Sequence, residues 1–274
     1  RNRIVISAVV ICILLTGIVI LVWSLYRAQE ERQKADAANA AKTAFLTRMS
    51  HDIRTPLNGI LGLIEIEELK DGDMQVARES RAKARVAANH LLSLINDILE
   101  MGKIEDRKLT LEHAPFNLKE LCDDALVLCK LRASGNGITM QDNSLPYATG
   151  PYMIGSPTHI RRIIINLLDN SIKYNKRGGS VTFSSQTKPL DNGRALFCFS
   201  VSDTGIGMAP DFLKHIYEPF AQEGDDARSK FQGTGMGMPI VKSLIDLMGG
   251  TIEISSEVGA GSTFNVQIPL DIDK

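Results

Sequence analysis

The chain has 274 residues, 44% of them hydrophobic and 23% charged, which suits about two domains with cores of their own. A formal net charge of −1 gives no reason to expect nucleic-acid binding. The cysteines Cys12, Cys122, Cys129 and Cys198 form no CxxC pair and no metal-ligand spacing, so ordinary thiols in a reducing compartment are expected, with Cys122 and Cys129 able to share a helix face. The first element is an almost unbroken apolar run from Ile4 to Trp23 without a charge. A helix of about twenty residues spans about 30 Å, the thickness of a bilayer core. The run is long for a signal-peptide core and no small-residue cleavage site follows it, so residues 4–23 read as a transmembrane helix with Trp23 and Tyr26 at the interface. Arg27, Arg32, Lys34, Lys42 and Arg48 outnumber Arg1 and Arg3, which predicts a cytoplasmic C-terminal side at the cell membrane. A chain starting with Arg just before this span is expected to be a fragment whose upstream part lies outside the membrane.

Residues 24–44 are rich in Ala, Gln, Glu and Lys, a juxtamembrane helix without a strong apolar seam. From residue 45 the apolar positions 46, 49, 53, 57, 60 and 64 recur in steps of three or four along one helix face. With Leu46 at heptad position a and Met49 at d, His51 falls at f, furthest from the seam. Asp52 follows it, and Thr55 lies one turn on along the same face. Pro56 has no N–H for the Asp52 carbonyl, so a local bend and one freed carbonyl are expected there. Asp71-Gly72-Asp73 breaks the helix, and a second runs from Met74 to Ile104 with Ala84, Ala88, Leu91, Ile95 and Ile98 on one face. The apolar stripe of this hairpin, residues 45–106, is too long to bury alone, which predicts a homodimer built as a four-helix bundle.

Beyond residues 105–108 the texture changes. Phe116 to Ala133, Ser156 to Lys176 and Ile240 to Met248 read as helices; Ser180 to Ser185, Arg194 to Asp203, Thr251 to Ser256 and Ser262 to Pro269 read as strands. Hairpin-like strands beside helices, without a βαβ rhythm, predict a two-layer α+β domain over residues 113–271.

Four clusters in that domain carry chemistry. Asn166 and Asn170 stack one turn apart, with Lys173 and Tyr174 completing the stripe. Asn is a mediocre helix former, and its amide oxygen is a hard ligand suited to Mg²⁺ riding on phosphate, which Lys173 would meet as a point charge. Asp203 ends a strand whose Ala195, Phe197, Phe199 and Val201 share its face, so its carboxylate needs a donor; an adenine amino group would be one. Gly205 and Gly207 after it allow close backbone approach. Gly233, Thr234, Gly235 and Gly237 precede a helix with Pro239 in its first turn, a phosphate-cradling arrangement. Glu218-Pro219-Phe220 is followed by a polar stretch from Ala221 to Gln232, a candidate lid in which Arg228 and Lys230 are placed to reach phosphates. Taken singly, each cluster also has a bland reading as solvated surface, turn or loop. The histidines at 90, 113, 159 and 215 have no comparable context.

Together these motifs closely resemble the sensor histidine kinases of two-component signalling. His51-Asp52-Ile53-Arg54-Thr55-Pro56-Leu57-Asn58 is similar to the family's H box and Asn166 to Tyr174 to its N box. Asp203-Thr204-Gly205-Ile206-Gly207, Glu218-Pro219-Phe220 and Gly233 to Gly237 are similar to its first glycine box, F box and second glycine box. The order and spacing match over roughly residues 45 to 270. The resemblance implies a dimerisation and phosphoacceptor domain followed by an ATP-binding domain of the kind shared with gyrase, mismatch-repair and heat-shock ATPases. It implies Mg²⁺ at Asn170 with support from Asn166, adenine on Asp203 near Tyr174, His51 as phosphoacceptor and Asp52 as general base. It further implies a response-regulator receiver as the next acceptor, with Thr55 at the position that aligns water for dephosphorylating the regulator. Asp52 stands where many members have Glu, and Gln232, Met236 and Met238 replace common Gly and Leu. The Asp-containing H box is reminiscent of hybrid kinases, and no receiver is expected within the five residues that follow Pro269. Two rivals are weighed: an inactive membrane-anchored dimeric scaffold, which predicts a missing His, Asn or Asp, and a chaperone- or gyrase-type ATPase, which leaves His51 unexplained.

Overall fold

The computed structural model describes residues 2–69, 74–106, 108–148, 150–219, 221 and 235–273; for 2–16, 18, 19, 34–46, 48, 51, 68, 90 and 105 it describes the backbone alone. The chain divides into two compact units, Arg1–Leu91 and Leu92–Lys274.

The first unit holds α1 (Asn2–Leu69) and the larger part of α2 (Met74–Glu105). α1 continues through Pro56 as one helix, so the proline does not end it. The break expected at Asp71-Gly72-Asp73 lies outside the described residues, between the end of α1 at Leu69 and the start of α2 at Met74. Arg81 of α2 pairs with Glu67 of α1 at 2.6 Å, an exposed bridge of small energetic weight. Leu57, Ile64 and Ile95 of the apolar stripe are 43%, 46% and 38% exposed, and none of its described residues is fully buried, so a single chain leaves the stripe partly uncovered. Among the described residues no helix is long and apolar enough to cross a membrane. Most side chains of the apolar run 4–23 are outside the described residues, although its backbone is part of α1.

The second unit takes the remaining turns of α2 and an α/β body. A seven-stranded sheet runs β1-β3-β7-β5-β4-β2, with β6 also on β7. Its strands are β1 (Ala114–Asn117), β2 (Thr139–Asp142), β3 (Tyr152–Gly155), β4 (Ser180–Leu190), β5 (Arg194–Asp203), β6 (Thr251–Glu257) and β7 (Gly261–Ile272). Among the described residues all pairings are antiparallel except β2 with β4. The helices α3 (Leu118–Gly135), α4 (Pro157–Lys173) and α6 (Gly237–Leu247) form the second layer, and α5 (Pro210–Leu213) is a single turn. Alternate residues of β4 and β5 are buried, so one face of the sheet meets these helices. Ile160, Ile163, Ile164, Leu167 and Leu168 of α4 pack in that core with Val181, Phe183, Phe197, Val201, Ile240 and Leu244, all at 0% exposure. The expected two-layer α+β architecture is present.

Local differences from the sequence reading have identifiable causes. Phe116 belongs to β1, where it pairs with Met153, rather than to a helix. Asn117 then starts α3, its side-chain oxygen accepting the Lys119 and Glu120 N–H groups at 3.0 and 3.2 Å. The strands β1, β2 and β3 escape the sequence because four residues at sheet margins carry too little alternation. β4 extends to Leu190 and β7 to Ile272, since long antiparallel pairing with β5 holds their ends. α4 stops at Lys173, with Tyr174 as its C-cap. α6 begins earlier than expected, at Gly237, because Pro239 needs no N–H in a first turn.

Two neighbouring arginines of α4 are paired differently. Arg161 reaches Asp124 of α3 at 3.1 Å in an exposed pair. Arg162 lies 2.7 Å from Asp97 and also bonds Glu100, both in the last turns of α2, where the carboxylates are only 18% and 10% exposed. The second Glu100 oxygen, Oε1, is buried without a hydrogen-bond partner among the described residues.

Candidate nucleotide site

The site is organised by the end of α4 and the end of β5. Asp203 emerges from β5 beside the buried Val201 and Phe199, as the strand period requires. Burial pushes its carboxyl above the usual carboxylate range, and three hydrogen bonds oppose that shift. Oδ1 accepts the Gly205 N–H at 2.9 Å and the Ser262 N–H at 3.2 Å, while Oδ2 accepts the Ser171 hydroxyl at 3.0 Å. The donor expected from a ligand is thus already partly supplied by the protein.

The glycine turn after Asp203 is pressed against α4's C-terminal end. The Ile206 N–H donates to the Tyr174 carbonyl at 3.0 Å. A side chain at Gly205 would collide with that carbonyl and with Asp203 itself. Gly207 has φ of 67°, and a Cβ there would run into the Glu257 carbonyl. Thr204 and Asn175 complete the junction: Thr204 Oγ1 accepts the Ser180 N–H at 2.9 Å, and Asn175 Nδ2 donates to the Ser180 carbonyl at 3.0 Å.

Asn166 and Asn170 are half-buried along α4, one turn apart. Asn166 faces the start of α6, where its amide oxygen would lie 3.4 Å from a Cβ placed on Gly237. The structure therefore brings the first amide and the second glycine cluster together. Lys173 does not extend freely: its Nζ donates to the Tyr174 hydroxyl at 2.9 Å and sits 4.5 Å from that ring's centre. Gly235 has φ of 66°, while Phe220, Arg228, Lys230, Gly233 and Thr234 lie outside the described residues. Glu218 is described and accepts from His215 Nδ1 at 2.7 Å when that ring nitrogen is protonated. Among the described residues no group of three or more His, Cys, Asp or Glu gathers to hold a metal. A divalent ion riding on nucleotide phosphates and a single amide, as at Asn170, needs no such cage.

In the first unit, His51 is part of α1 by its backbone, with its side chain outside the described residues. Asp52 is half-buried and Thr55 exposed on the same helix.

Sequence reasoning passed over Ser171, Ser262, Thr204 and Asn175. Ser171 alone carried a signal. It lies three residues after Leu168 and four after Leu167, on a face otherwise aliphatic, where a buried hydroxyl needs a partner. The backbone donor of Ser262 has no sequence signal at all.

Comparison with known proteins agrees with this geometry. Residues 41–107 match the His Kinase A (phospho-acceptor) domain, and residues 155–272 match the histidine kinase-, DNA gyrase B- and HSP90-like ATPase domain. Hybrid signal transduction histidine kinase A of Dictyostelium discoideum is 34% identical over 87% of this chain and 11% of its own length. Sensor histidine kinase AruS of Pseudomonas aeruginosa is 36% identical over 90% of this chain and 24% of its own. The chain thus spans a minor part of these relatives. Among solved structures, full-length ShkA in complex with AMPPNP is 30% identical, with a TM-score of 0.60 over 83% of this chain and 46% of that one. ThkA in complex with the response regulator protein TrrA shares the fold at 22% identity and a TM-score of 0.59, over 90% of this chain and 66% of that one. With a phospho-acceptor hairpin followed by this ATPase sandwich, the chain belongs to the histidine kinases of two-component systems.

Proposed function

We propose that this chain is the kinase core of a membrane-bound sensor histidine kinase, which phosphorylates His51 from ATP and passes the phosphoryl group to an aspartate of a response-regulator receiver. The observation that carries the proposal is the junction of α4 and β5, where the face bearing Asn166 and Asn170 ends against Asp203 and its glycine turn. Asp203 accepts the adenine amino group, and Tyr174 lies near the purine. Asn170 holds Mg²⁺ through its amide oxygen, with Asn166 supporting the phosphates. Bound Mg²⁺ offsets phosphate charge. Lys173 reaches phosphate only by leaving Tyr174, and Phe220, Arg228, Lys230, Gly233, Thr234, Gly235 and Gly237 are assigned the remaining nucleotide contacts.

A neutral His51 nitrogen attacks the γ-phosphorus, the bond to the bridging oxygen breaks, and ADP leaves. Asp52 orients the ring and takes its proton. Transfer from His51 to a receiver aspartate regenerates the neutral imidazole. Thr55, one turn from His51, aligns water for hydrolysis of the regulator's acyl phosphate. The relatives and the ThkA assembly with a response regulator support this choice of partner. The exposed apolar row on α1 and α2 supports homodimerisation into a four-helix bundle. The uncharged run 4–23, with its basic C-terminal flank, supports anchoring in the cell membrane with the kinase core in the cytoplasm.

Incubation of the purified chain with Mg²⁺ and γ-labelled ATP should yield an acid-labile, alkali-stable label. Loss of that label in His51→Gln is the expected result; its persistence there refutes the assignment. Asn170→Ala should lose Mg-ATP binding with an unchanged unfolding curve.

A further inference from the structure

Ser171 is 2% exposed on the face that α4 turns to the sheet, where an aliphatic side chain would pack without needing a partner. Its hydroxyl instead crosses to β5 and donates to Oδ2 of Asp203 at 3.0 Å. An ionised carboxylate offers about four acceptor positions, two on each oxygen. Both positions on Oδ1 are taken by backbone, through the Gly205 and Ser262 N–H groups. One position on Oδ2 is taken by Ser171, which leaves one open among the described residues.

We propose that Ser171 is a positioning residue for nucleotide selection: by occupying one Oδ2 position it leaves Asp203 a single aimed acceptor, which takes a purine with an amino group at C6 and rejects one with a carbonyl there. The inference rests on the reading of Asp203 as the adenine acceptor. An amino group at C6 donates into the open position. A carbonyl at C6 would set two acceptors against each other, with no proton between them. Among the described residues, only burial and the three hydrogen bonds act on the ionisation of Asp203. Without the Ser171 donor, burial is opposed by two backbone bonds alone. The carboxyl then protonates more readily, and a protonated carboxyl donates to a carbonyl at C6. Ser171 therefore acts on selectivity as well as affinity.

The test uses the whole 274-residue chain and measures equilibrium binding of non-hydrolysable adenine and guanine nucleoside triphosphates with Mg²⁺. In parallel, autophosphorylation is titrated with ATP. Ser171→Ala should weaken adenine-nucleotide binding about tenfold, because the unheld carboxyl is less well aimed and more readily protonated, and narrow the adenine-to-guanine preference by a similar factor. The loss should fall on KM rather than kcat. Ser171→Cys, close in volume and a weak donor, should lie between. It carries the test by itself if the alanine variant does not unfold cooperatively. Binding and preference within about twofold of wild type in the folded variants would overturn the proposal, as would a fall in kcat with KM unchanged. Asp203→Asn separates the two levels of inference. If it leaves adenine affinity intact, the adenine reading itself fails; if it abolishes binding while the Ser171 variants do nothing, only the role of Ser171 fails.

Discussion

Replacing Asp203 with Asn should weaken nucleotide binding and stabilise the empty fold. The Gly205 and Ser262 N–H groups, at 2.9 and 3.2 Å, hold an acceptor at the Oδ1 position, so the Asn amide oxygen must stay there. Its NH₂ then occupies the Oδ2 position, where the Ser171 hydroxyl rotates to accept from it. An incoming adenine amino group meets a donor instead of an acceptor. The lost charge-assisted bond is about 1.5–3 kcal/mol, and the unpaired donors add about 1–3 kcal/mol. The combined loss is at least about sixtyfold in affinity. Stability moves the other way. Burial raises the folded-state pKa of Asp203 above its unfolded value, so its favourable contribution is fully present below the unfolded pKa and is lost as pH rises through the folded one. At neutral pH the wild type carries the full cost of ionising Asp203, and the Asn variant does not. Urea unfolding of both proteins across this acidic window, with nucleotide titration at pH 7, measures each half. A variant less stable than wild type at pH 7, or a stability difference that ignores pH, would refute the reasoning.

Gly207→Ala should cost at least about 2 kcal/mol, because the backbone is left-handed there and a Cβ would strike the Glu257 carbonyl; urea midpoints check it. Arg162→Ala should cost about 3 kcal/mol by leaving the largely buried carboxylates of Asp97 and Glu100 without their cation. Arg161→Ala, which loses only the exposed pair with Asp124, should cost under about 1 kcal/mol, and equal losses for the two would contradict this difference. Burial pushes the Cys122 thiol up to about 12, so it should resist alkylation at pH 8 until urea unfolds the domain, as mass spectrometry would read.

The long elements were legible because their signals are local. The stripe of α4 and the alternation of β5 can be counted within the segments themselves, and β5 runs from Arg194 to Asp203 as expected. β1, β2 and β3 were not legible, since four-residue strands acquire their identity from the strand alongside. At the site, Asn166, Asn170 and Asp203 stood out because a polar side chain in an apolar pattern needs a reason. Lys173 was read as a phosphate contact from its stripe alone, and only the folded end of α4 places it over Tyr174.

By itself the sequence determined the two-part design. It set a helical hairpin bearing His51 before an α+β domain whose amides, aspartate and glycines are of the types that bind nucleotide. These are properties of residue type and short-range period. The tertiary structure decided how Asp203 is held. Its partners Ser171 and Ser262 stand 32 and 59 residues away, and they meet it only through the docking of α4 and the pairing of β5 with β7. Hydrogen-bond partners of a buried carboxylate follow from register and packing between distant segments, so a local pattern can announce the need for a donor without naming it.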